Sequence, residues 1–198
     1  LPGDVMMAGR ALRKLQAADR PVWVAASTHE GEEAVLLAAH ALVRQQHPQA
    51  MLLLVPRHPE RFSAVAALVG DCGLACVTRS SAAVAGPRDA VFLGDTMGEL
   101  MTFYAAADVA FVGGSLSAIG GHNLLEPAAL GIPVITGPHN ENAADICALL
   151  VARGAASVVS DAAGVAAEVC RLFGDPAERQ RRGAAGPAAI ADNSGALE

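Results

Sequence analysis

The polar segment from Gly120 to Asn142, GGHNLLEPAALGIPVITGPHNEN, has the residue types of a ligand site. Asn123 and Glu126 stand three positions apart, and Pro127 follows the acid directly. This spacing is typical of a capping box, in which Asn123 begins a helix and Glu126 bonds back to its backbone N–H group. The same carboxylate could instead accept two hydrogen bonds from a diol outside the protein. Taken locally, the pattern favours the helix cap.

Five segments of the chain combine histidine, arginine, acids, amides or glycines, and each directly follows an apolar run. They are STHEGEE (27–33), PRHPERF (56–62), GDTMGEL (94–100), GGSLSAIGGHN (113–123) and GPHNEN (137–142). Four of the six histidines lie in them, namely His29, His58, His122 and His139. Side chains of these types bind anions and hydroxyl groups, so the five segments are the predicted ligand contacts.

The first two segments have the residues of a phosphate site. Arg57 ends an apolar run, where a guanidinium is well placed for a phosphate, and we favour that role over an ordinary surface arginine. His58 beside it is equally compatible with a structural hydrogen bond and with a ligand contact. Ser27 and Thr28 precede a predicted helix that begins at Gly31, and the free N–H groups at its start suit an anion.

Two further patterns have a structural explanation that competes with a functional one. Glu32 and Glu33 open a predicted helix, and we interpret them as acids that complement its dipole. Met97 alone would suggest a core residue, but its position after a strand-like run favours the ligand side. Gly98 next to it would let the backbone approach a flat ring.

Composition narrows the possible functions. With 198 residues, 53% hydrophobic and 17% charged, the chain can bury an ordinary core and is not disordered. A net charge of −6 argues against a nucleic-acid partner, so any anionic ligand must meet a local cluster of donors. The cysteines show no metal-ligand spacing and no C-x-x-C pair, and the histidines show no helical ligand spacing. We therefore expect no metal ion and no cofactor.

The ends of the chain suggest a fragment. No apolar run approaches the roughly 20 residues that a membrane span needs, and the start is not a signal peptide. The chain begins LPGD rather than with Met, which resembles the end of a linker. We expect one domain over residues 1–198, in which residues 1–20 hold a linker remnant and the first helix.

Strand-like and helical patterns alternate along the chain. The apolar runs predicted as strands are 21–27, 51–55, 74–78, 90–94, 108–114, 132–136 and 155–160. Helices are predicted at 31–47, 59–69, 98–106, 124–130 and 142–152. Further helices are predicted after the last strand, up to the end of the chain. Such alternation, with strands that lack a polar face, predicts a Rossmann-like parallel sheet covered by helices on both faces. In that fold a ligand binds beyond the carboxyl ends of the strands, which is where the five polar segments fall.

Two common nucleotide motifs are absent. The glycine-rich GGSLSAIGG does not contain G-x-G-x-x-G, and there is no Walker sequence, so NAD and ATP are disfavoured.

The five segments together, in this order and spacing, closely resemble the 3-deoxy-D-manno-octulosonic acid (Kdo) transferases of Gram-negative bacteria. The resemblance runs from about Pro21 to Asn193 of this chain and corresponds to the C-terminal half of the family's sequences. It implies the C-terminal, nucleotide-binding domain of a GT-B glycosyltransferase whose donor is CMP-Kdo. The family's nucleotide contacts carry over to nine residues: Pro56, Arg57, Met97, Gly98, Glu99, Asn123, Leu124, Leu125 and Glu126.

The resemblance also implies a mechanism. Displacement at the anomeric carbon of Kdo would release CMP as an anion, and donors aimed at that charge would carry much of the catalysis. Possible phosphate or sugar contacts are Ser27, Thr28, Gly31, His58, His122 and the backbone of Gly113, Gly114 and Ser115. Retaining GT-B enzymes often carry Glu-x7-Glu, but here the pair is Ala118 and Glu126, which fits an inverting reaction. No catalytic residue is expected in this chain, because the family's base is a glutamate of the N-terminal domain.

Further expectations concern the whole protein. The acceptor is expected to be a lipid A precursor, bound by an N-terminal domain that also associates with the cytoplasmic face of the inner membrane. This chain alone is expected to be soluble and inactive. Two alternatives stay open: a GT-B transferase or epimerase domain that uses a UDP-sugar, and a non-catalytic nucleotide-binding module.

Overall fold

Seven parallel strands form one sheet, with helices on both faces. The computed structural model describes the backbone of residues 2–195 and the side chains of residues 3–195. The strands are β1 (Val22–Thr28), β2 (Met51–Pro56), β3 (Cys76–Thr78), β4 (Val91–Leu93), β5 (Val109–Val112), β6 (Val134–Thr136) and β7 (Ala156–Val158). Their spatial order is β3-β4-β2-β1-β5-β6-β7, and every neighbouring pair is parallel. The predicted Rossmann-like sheet is confirmed.

Residues 2–195 contain eight α-helices. They are α1 (Pro2–Gln16), α2 (Glu32–Gln46), α3 (Phe62–Asp71), α4 (Leu100–Ala106), α5 (Leu125–Ala129), α6 (Ala144–Ala152), α7 (Ala162–Gly174) and α8 (Pro176–Gly195). Helices α2 to α6 connect strands, α1 precedes β1, and α7 and α8 follow β7. Single 3₁₀ turns at Pro59–Arg61 and Glu141–Ala143 precede α3 and α6. Within residues 2–195, no helix is both long enough and apolar enough to cross a membrane.

Strand β1 is buried on both faces, which explains its continuous apolar sequence. Val22, Val24 and Ala26 contribute to the core on one side of the sheet, and Trp23 and Ala25 contribute to the core on the other. Side chains alternate across a strand, so a central strand between two helical layers needs apolar residues at every position.

The predicted elements differ from the structure mainly at their ends. Strand β6 begins at Val134 rather than at residue 132, because Pro133 has no N–H group to donate to the sheet. The segment predicted as a linker remnant is helical instead, since α1 already includes Pro2. Proline is tolerated in a first helical turn, where the N–H group lacks a helical partner anyway.

Helix α1 is fixed to the rest of the domain by a close contact and an ion pair. A Cβ atom on Gly9 would lie 2.4 Å from the Cβ of Ala105, so α1 and α4 touch backbone to backbone. Arg13 binds Asp108 through both nitrogens at 3.0 Å, and Asp108 also accepts the N–H of Val22 at 3.0 Å. These contacts join α1 to the start of the sheet, away from the predicted ligand side.

A buried histidine and the only tryptophan form one hydrogen-bonded unit beneath α2. The indole N–H of Trp23 donates to His40 Nδ1 at 3.0 Å, so the imidazole proton lies on Nε2 and is donated to the carbonyl of Ala90 at 2.8 Å. Burial, opposed by the bond to Ala90 and assisted by Arg44 and Arg20, lowers the pKa of His40 to about 4. The fold therefore requires the neutral ring.

Acid is expected to destabilise the domain through His40. Because the folded pKa lies below the ordinary 6.5, the stabilisation is complete above pH 6.5 and is lost as the pH falls towards 4. The loss amounts to about 3 kcal/mol. Urea unfolding from pH 7.5 to 4.5 would measure it. His40→Gln should flatten the pH dependence by about one proton. An unchanged slope in H40Q would contradict this assignment.

Candidate functional site

A cavity of about 300 Å³ opens beyond the carboxyl ends of the central strands. The ends of parallel strands meet at one edge of the sheet, so residues that follow different strands converge there. The cavity is lined by Ser27, Val55, Pro56, Arg57, Thr96, Met97, Gly98, Leu100, Tyr104, His122, Asn123 and Glu126. Six of the nine residues predicted to contact a nucleotide are in this lining, namely Pro56, Arg57, Met97, Gly98, Asn123 and Glu126.

Arg57 supplies the positive charge of the cavity. Its backbone N–H donates to the carbonyl of Thr28 at 3.0 Å, which ties the end of β2 to the end of β1. Its side chain is exposed, and no hydrogen bond or ion pair joins its guanidinium to any residue from 3 to 195. A guanidinium held at its base and free at its tip can form a bidentate bond to an anion.

The loop between β4 and α4 offers backbone and one apolar side chain to the cavity. Met97 is 61% exposed, and Gly98 has a φ of 84°, a left-handed conformation that favours glycine. Glu99 is not in the cavity lining: it binds Arg79 through both oxygens, at 2.9 and 3.1 Å, and accepts the hydroxyl of Thr96 at 2.5 Å. The bond from Arg79 lowers the pKa of Glu99 and keeps it ionised. Only the backbone of Glu99 is left for the predicted contact.

The structure revises the predicted capping box. Helix α5 is preceded by Leu124 in the cap position, so Asn123 lies one residue before it. Asn123 Oδ1 accepts the N–H of Leu125 at 3.0 Å, and its Nδ2 donates to Glu126 Oε1 at 3.1 Å. Glu126 therefore bonds the Asn123 side chain instead of its backbone N–H, and its carboxylate lines the cavity. The side chain of Leu124 is buried in the core, so only its backbone could meet a ligand.

Tyr104 is a cavity residue that the sequence analysis missed. It is the only tyrosine in the chain and is 1% exposed, yet it contributes to the cavity wall. Burial and the nearby carboxylate of Glu126 raise its pKa, so the phenol is neutral and can donate a hydrogen bond. Its place in an apolar helix, FYAA, hides this role. Val55, Thr96 and Leu100 complete the part of the lining that was not predicted.

Glu32 does not serve merely to complement the dipole of α2, as the sequence suggested. It is 1% exposed, and its two oxygens accept four backbone N–H groups. The donors are His29 at 3.0 Å, Gly114 at 2.7 Å, Ser115 at 3.2 Å and Leu116 at 3.1 Å. The carboxylate therefore joins the β1–α2 loop to the loop that follows β5. Glu33 is also buried, but its carboxylate pairs with Arg61 and binds neither of these two loops.

The polar groups of three predicted phosphate contacts, Gly113, Gly114 and Ser115, are hydrogen-bonded within the protein. The N–H of Gly113 donates to Ala26 at 2.7 Å, and those of Gly114 and Ser115 donate to Glu32. The hydroxyl of Ser115 donates to the Val112 carbonyl at 2.7 Å and accepts the N–H of Gly137 at 2.8 Å. The loop after β5 is thus a scaffold and presents none of these donors to a ligand.

The β1–α2 loop keeps only part of its predicted role. Ser27 lines the cavity and has a φ of 57°, which is unusual for serine and marks the end of β1 as strained. Thr28 is fully buried, its hydroxyl has no partner among residues 3–195, and it lies outside the cavity lining. Gly31 precedes α2 with a φ of 90° and lies outside the cavity lining.

His29 and His122 form a close pair beside the cavity. Their Nε2 atoms are 2.6 Å apart, so one ring donates the shared proton and the other accepts it. Burial lowers the pKa of both rings, and for His122 the neighbouring His29 adds to this effect. The ring of His58 packs edge to face against that of His29, with the ring centres 5.3 Å apart, and His58 is not in the cavity lining. Across residues 2–195, no three histidine, cysteine or acidic side chains are grouped so that they could hold a metal ion.

The parallel sheet covered by helices is that of the C-terminal half of a GT-B glycosyltransferase, and similarity to known proteins supports this class. The profile of the family "Glycosyl transferases group 1" matches residues 19–189. The crystal structure of Anabaena Alr3699/HepE in complex with UDP and glucose superposes with a TM-score of 0.68 at 15% identity, over 97% of this chain and 48% of that one. At this identity the likeness shows the fold alone.

The particular family is that of the Kdo transferases, to which this chain belongs. The crystal structure of the C-terminal CMP-Kdo binding domain of WaaA from Acinetobacter baumannii superposes with a TM-score of 0.89 at 31% identity, covering 95% of this chain and 98% of that one. The 3-deoxy-D-manno-octulosonic acid transferases of Haemophilus influenzae and Bordetella pertussis are each 44% identical to it, over 95% and 91% of this chain. The chain spans only 44% and 43% of those two proteins.

The contact between β1 and the loop after β5 can be tested at Gly113. A Cβ atom there would lie 2.4 Å from the carbonyl oxygen of Ser27, so Gly113→Ala must push two backbones apart. We expect a loss of about 2 kcal/mol or more, seen as a lowered thermal midpoint. Gly70→Ala is the matched control, because the same methyl group meets nothing within 4 Å in α3 and improves helix propensity. Equal stability of the two variants would contradict the close contact.

Proposed function

We propose that this chain is the CMP-Kdo binding domain of an inverting glycosyltransferase that transfers Kdo to a lipid A precursor. Its likeness to the CMP-Kdo binding domain of WaaA over nearly the whole length of both chains is the observation that carries this proposal. The cavity supports it, because its lining offers a cation, a free carboxylate and an open patch of backbone within about 300 Å³. Those are the groups that a phosphate, a ribose diol and a flat base require.

Each part of the nucleotide has a proposed partner. Arg57 binds the phosphate, assisted by Ser27 and by His122 on the same wall. Glu126 accepts both ribose hydroxyls, and the bond from Asn123 holds its carboxylate in place. The backbone from Met97 to Glu99, together with Pro56 and the backbone of Leu124 and Leu125, frames the cytosine.

In the proposed reaction an acceptor hydroxyl attacks the anomeric carbon of Kdo, and the bond from that carbon to the phosphate oxygen breaks. CMP leaves with the bonding electrons, and Arg57 stabilises the negative charge that develops on its phosphate. The base that takes the acceptor proton, the acceptor site and the attachment to the inner membrane are proposed to lie in the part of the relatives that this chain does not match. The scheme uses no metal ion and no cofactor.

Nucleotide specificity separates this proposal from its alternatives. Calorimetry with CMP, UMP and UDP is expected to give the tightest binding for CMP, by at least about tenfold over UMP. Preference for a uridine nucleotide would favour a transferase or epimerase domain for UDP-sugars. Absence of binding by all three would contradict the proposed function. Solved structures of UDP-sugar enzymes share only the fold with this chain, at 13% to 15% identity.

Replacing Glu126 with glutamine tests the ribose contact. A glutamine oxygen can still accept the bond from Asn123, so the free energy of unfolding should stay within about 1 kcal/mol of the wild type. The amide cannot accept two ribose hydroxyls as a carboxylate does, so CMP affinity should fall by about tenfold or more. Glu141→Gln, an exposed acid after β6, is the control and should change neither quantity. Lowered stability with unchanged CMP affinity would show that Glu126 is only a structural residue.

A further inference from the structure

The buried carboxylate of Glu32 is part of a closed ring of contacts that also includes His122, a residue of the cavity lining. On one side it accepts the N–H of His29, and His29 Nε2 contacts His122 Nε2 at 2.6 Å. On the other side it accepts the N–H of Gly114, whose carbonyl accepts the N–H of Gly121 at 2.8 Å. Gly121 directly precedes His122, so both paths from Glu32 end at the same imidazole.

Two further contacts restrict the position of the His122 ring. A Cβ atom on Gly114 would lie 2.9 Å from Cδ2 of its ring, so the ring rests directly on the Gly114 backbone. The rings of His29 and His122 are parallel within 4°, with their centres 4.9 Å apart. The position of the one imidazole that lines the cavity therefore depends on where Glu32 holds Gly114 and His29.

Glu32 also decides which groups are left for an anion. A glycine-rich loop after a strand ordinarily exposes N–H groups that bind phosphate. Here Gly114, Ser115 and Leu116 give their N–H groups to Glu32, so an internal anion occupies the place that a phosphate would take. Phosphate recognition is thereby left to side chains that line the cavity, above all Arg57 and His122.

We infer that Glu32 is a positioning residue for phosphate recognition: it fixes the His29–His122 pair against the cavity and withholds the amides of the glycine-rich loop from the ligand. The inference rests on the proposed function for the identity of the ligand. It goes beyond the nucleotide contacts, since Glu32 is closed off from the cavity and acts only through the residues that it holds.

The first test needs no ligand. Glu32→Gln replaces an acceptor of four hydrogen bonds with one oxygen and an NH₂ group that faces backbone donors. In the 198-residue chain, amide hydrogen exchange of His29, Gly114, Ser115 and Leu116 should accelerate at least about tenfold at two or more of these positions. Glu33→Gln is the matched control, being the adjacent buried carboxylate with a different partner, and it should leave all four amides protected. Wild-type protection in E32Q would overturn the inference.

The second test separates positioning from general stability. The affinity of folded E32Q for CMP should fall about tenfold, while its affinity for cytidine, which lacks the phosphate, should stay within about twofold of wild type. E33Q should keep the wild-type ratio of the two affinities. Equal losses for CMP and cytidine, or an unchanged ratio in E32Q, would overturn the inference. If the wild-type chain binds no CMP, the proposed function fails, and the exchange experiment still decides whether Glu32 holds the two loops.

Glu32→Asp provides the same comparison if E32Q does not fold. Aspartate keeps the charge, but its shorter side chain cannot reach both loops at once. Faster exchange at the loop amides and a selective loss of CMP affinity, each smaller than expected for E32Q, would support the inference. Wild-type exchange and wild-type affinities in E32D would contradict it.

Discussion

The close approach of β1 and the loop after β5 is the constraint on which the rest of the candidate site depends. The carbonyl oxygen of Ser27 occupies the space where a side chain on Gly113 would begin. Ser27 accordingly takes a left-handed backbone conformation, and the register of β1 against β2 shifts between Ala26 and Thr28. Because the two chain segments are this close, one buried carboxylate, that of Glu32, can bind both. A wider gap would leave its charge without enough donors in a place that excludes water.

The polar residues at this edge of the sheet fall into two groups with different tasks. Glu32, Ser115 and Asn140 are buried, and their hydrogen bonds go to the protein itself. Arg57, Asn123 and Glu126 line the cavity and are not fully buried, so they are available to a ligand. A chain with a net charge of −6 cannot attract an anion by its overall field, so recognition depends on this local arrangement. The first group keeps the second in place.

The general location of the site could be predicted from the sequence because it follows from topology. Apolar runs without a polar face require a doubly covered parallel sheet, and polar loops after such strands must converge. Which polar groups point outward could not be predicted, since it depends on distances between loops that are far apart in the chain. Glu32 and Glu33 look identical in sequence, yet one binds backbone N–H groups 82 to 84 positions away and the other pairs with Arg61. Tyr104 was missed for the same reason. Its position in an apolar helix predicts burial but does not show that a cavity lies next to it.

Trp23, hydrogen-bonded to His40, is the one tryptophan whose fluorescence the domain can show. Trp23 is the only tryptophan, is fully buried, and is the second residue of β1, whose other end lies at the cavity. Four residue steps along the strand, or about 13 Å, separate it from Ser27. Its emission should therefore be that of an indole in a dry, hydrogen-bonded environment and should change sharply when the sheet opens. A nucleotide in the cavity would not touch it, so intrinsic fluorescence reports on folding here, and a ligand titration needs a different signal.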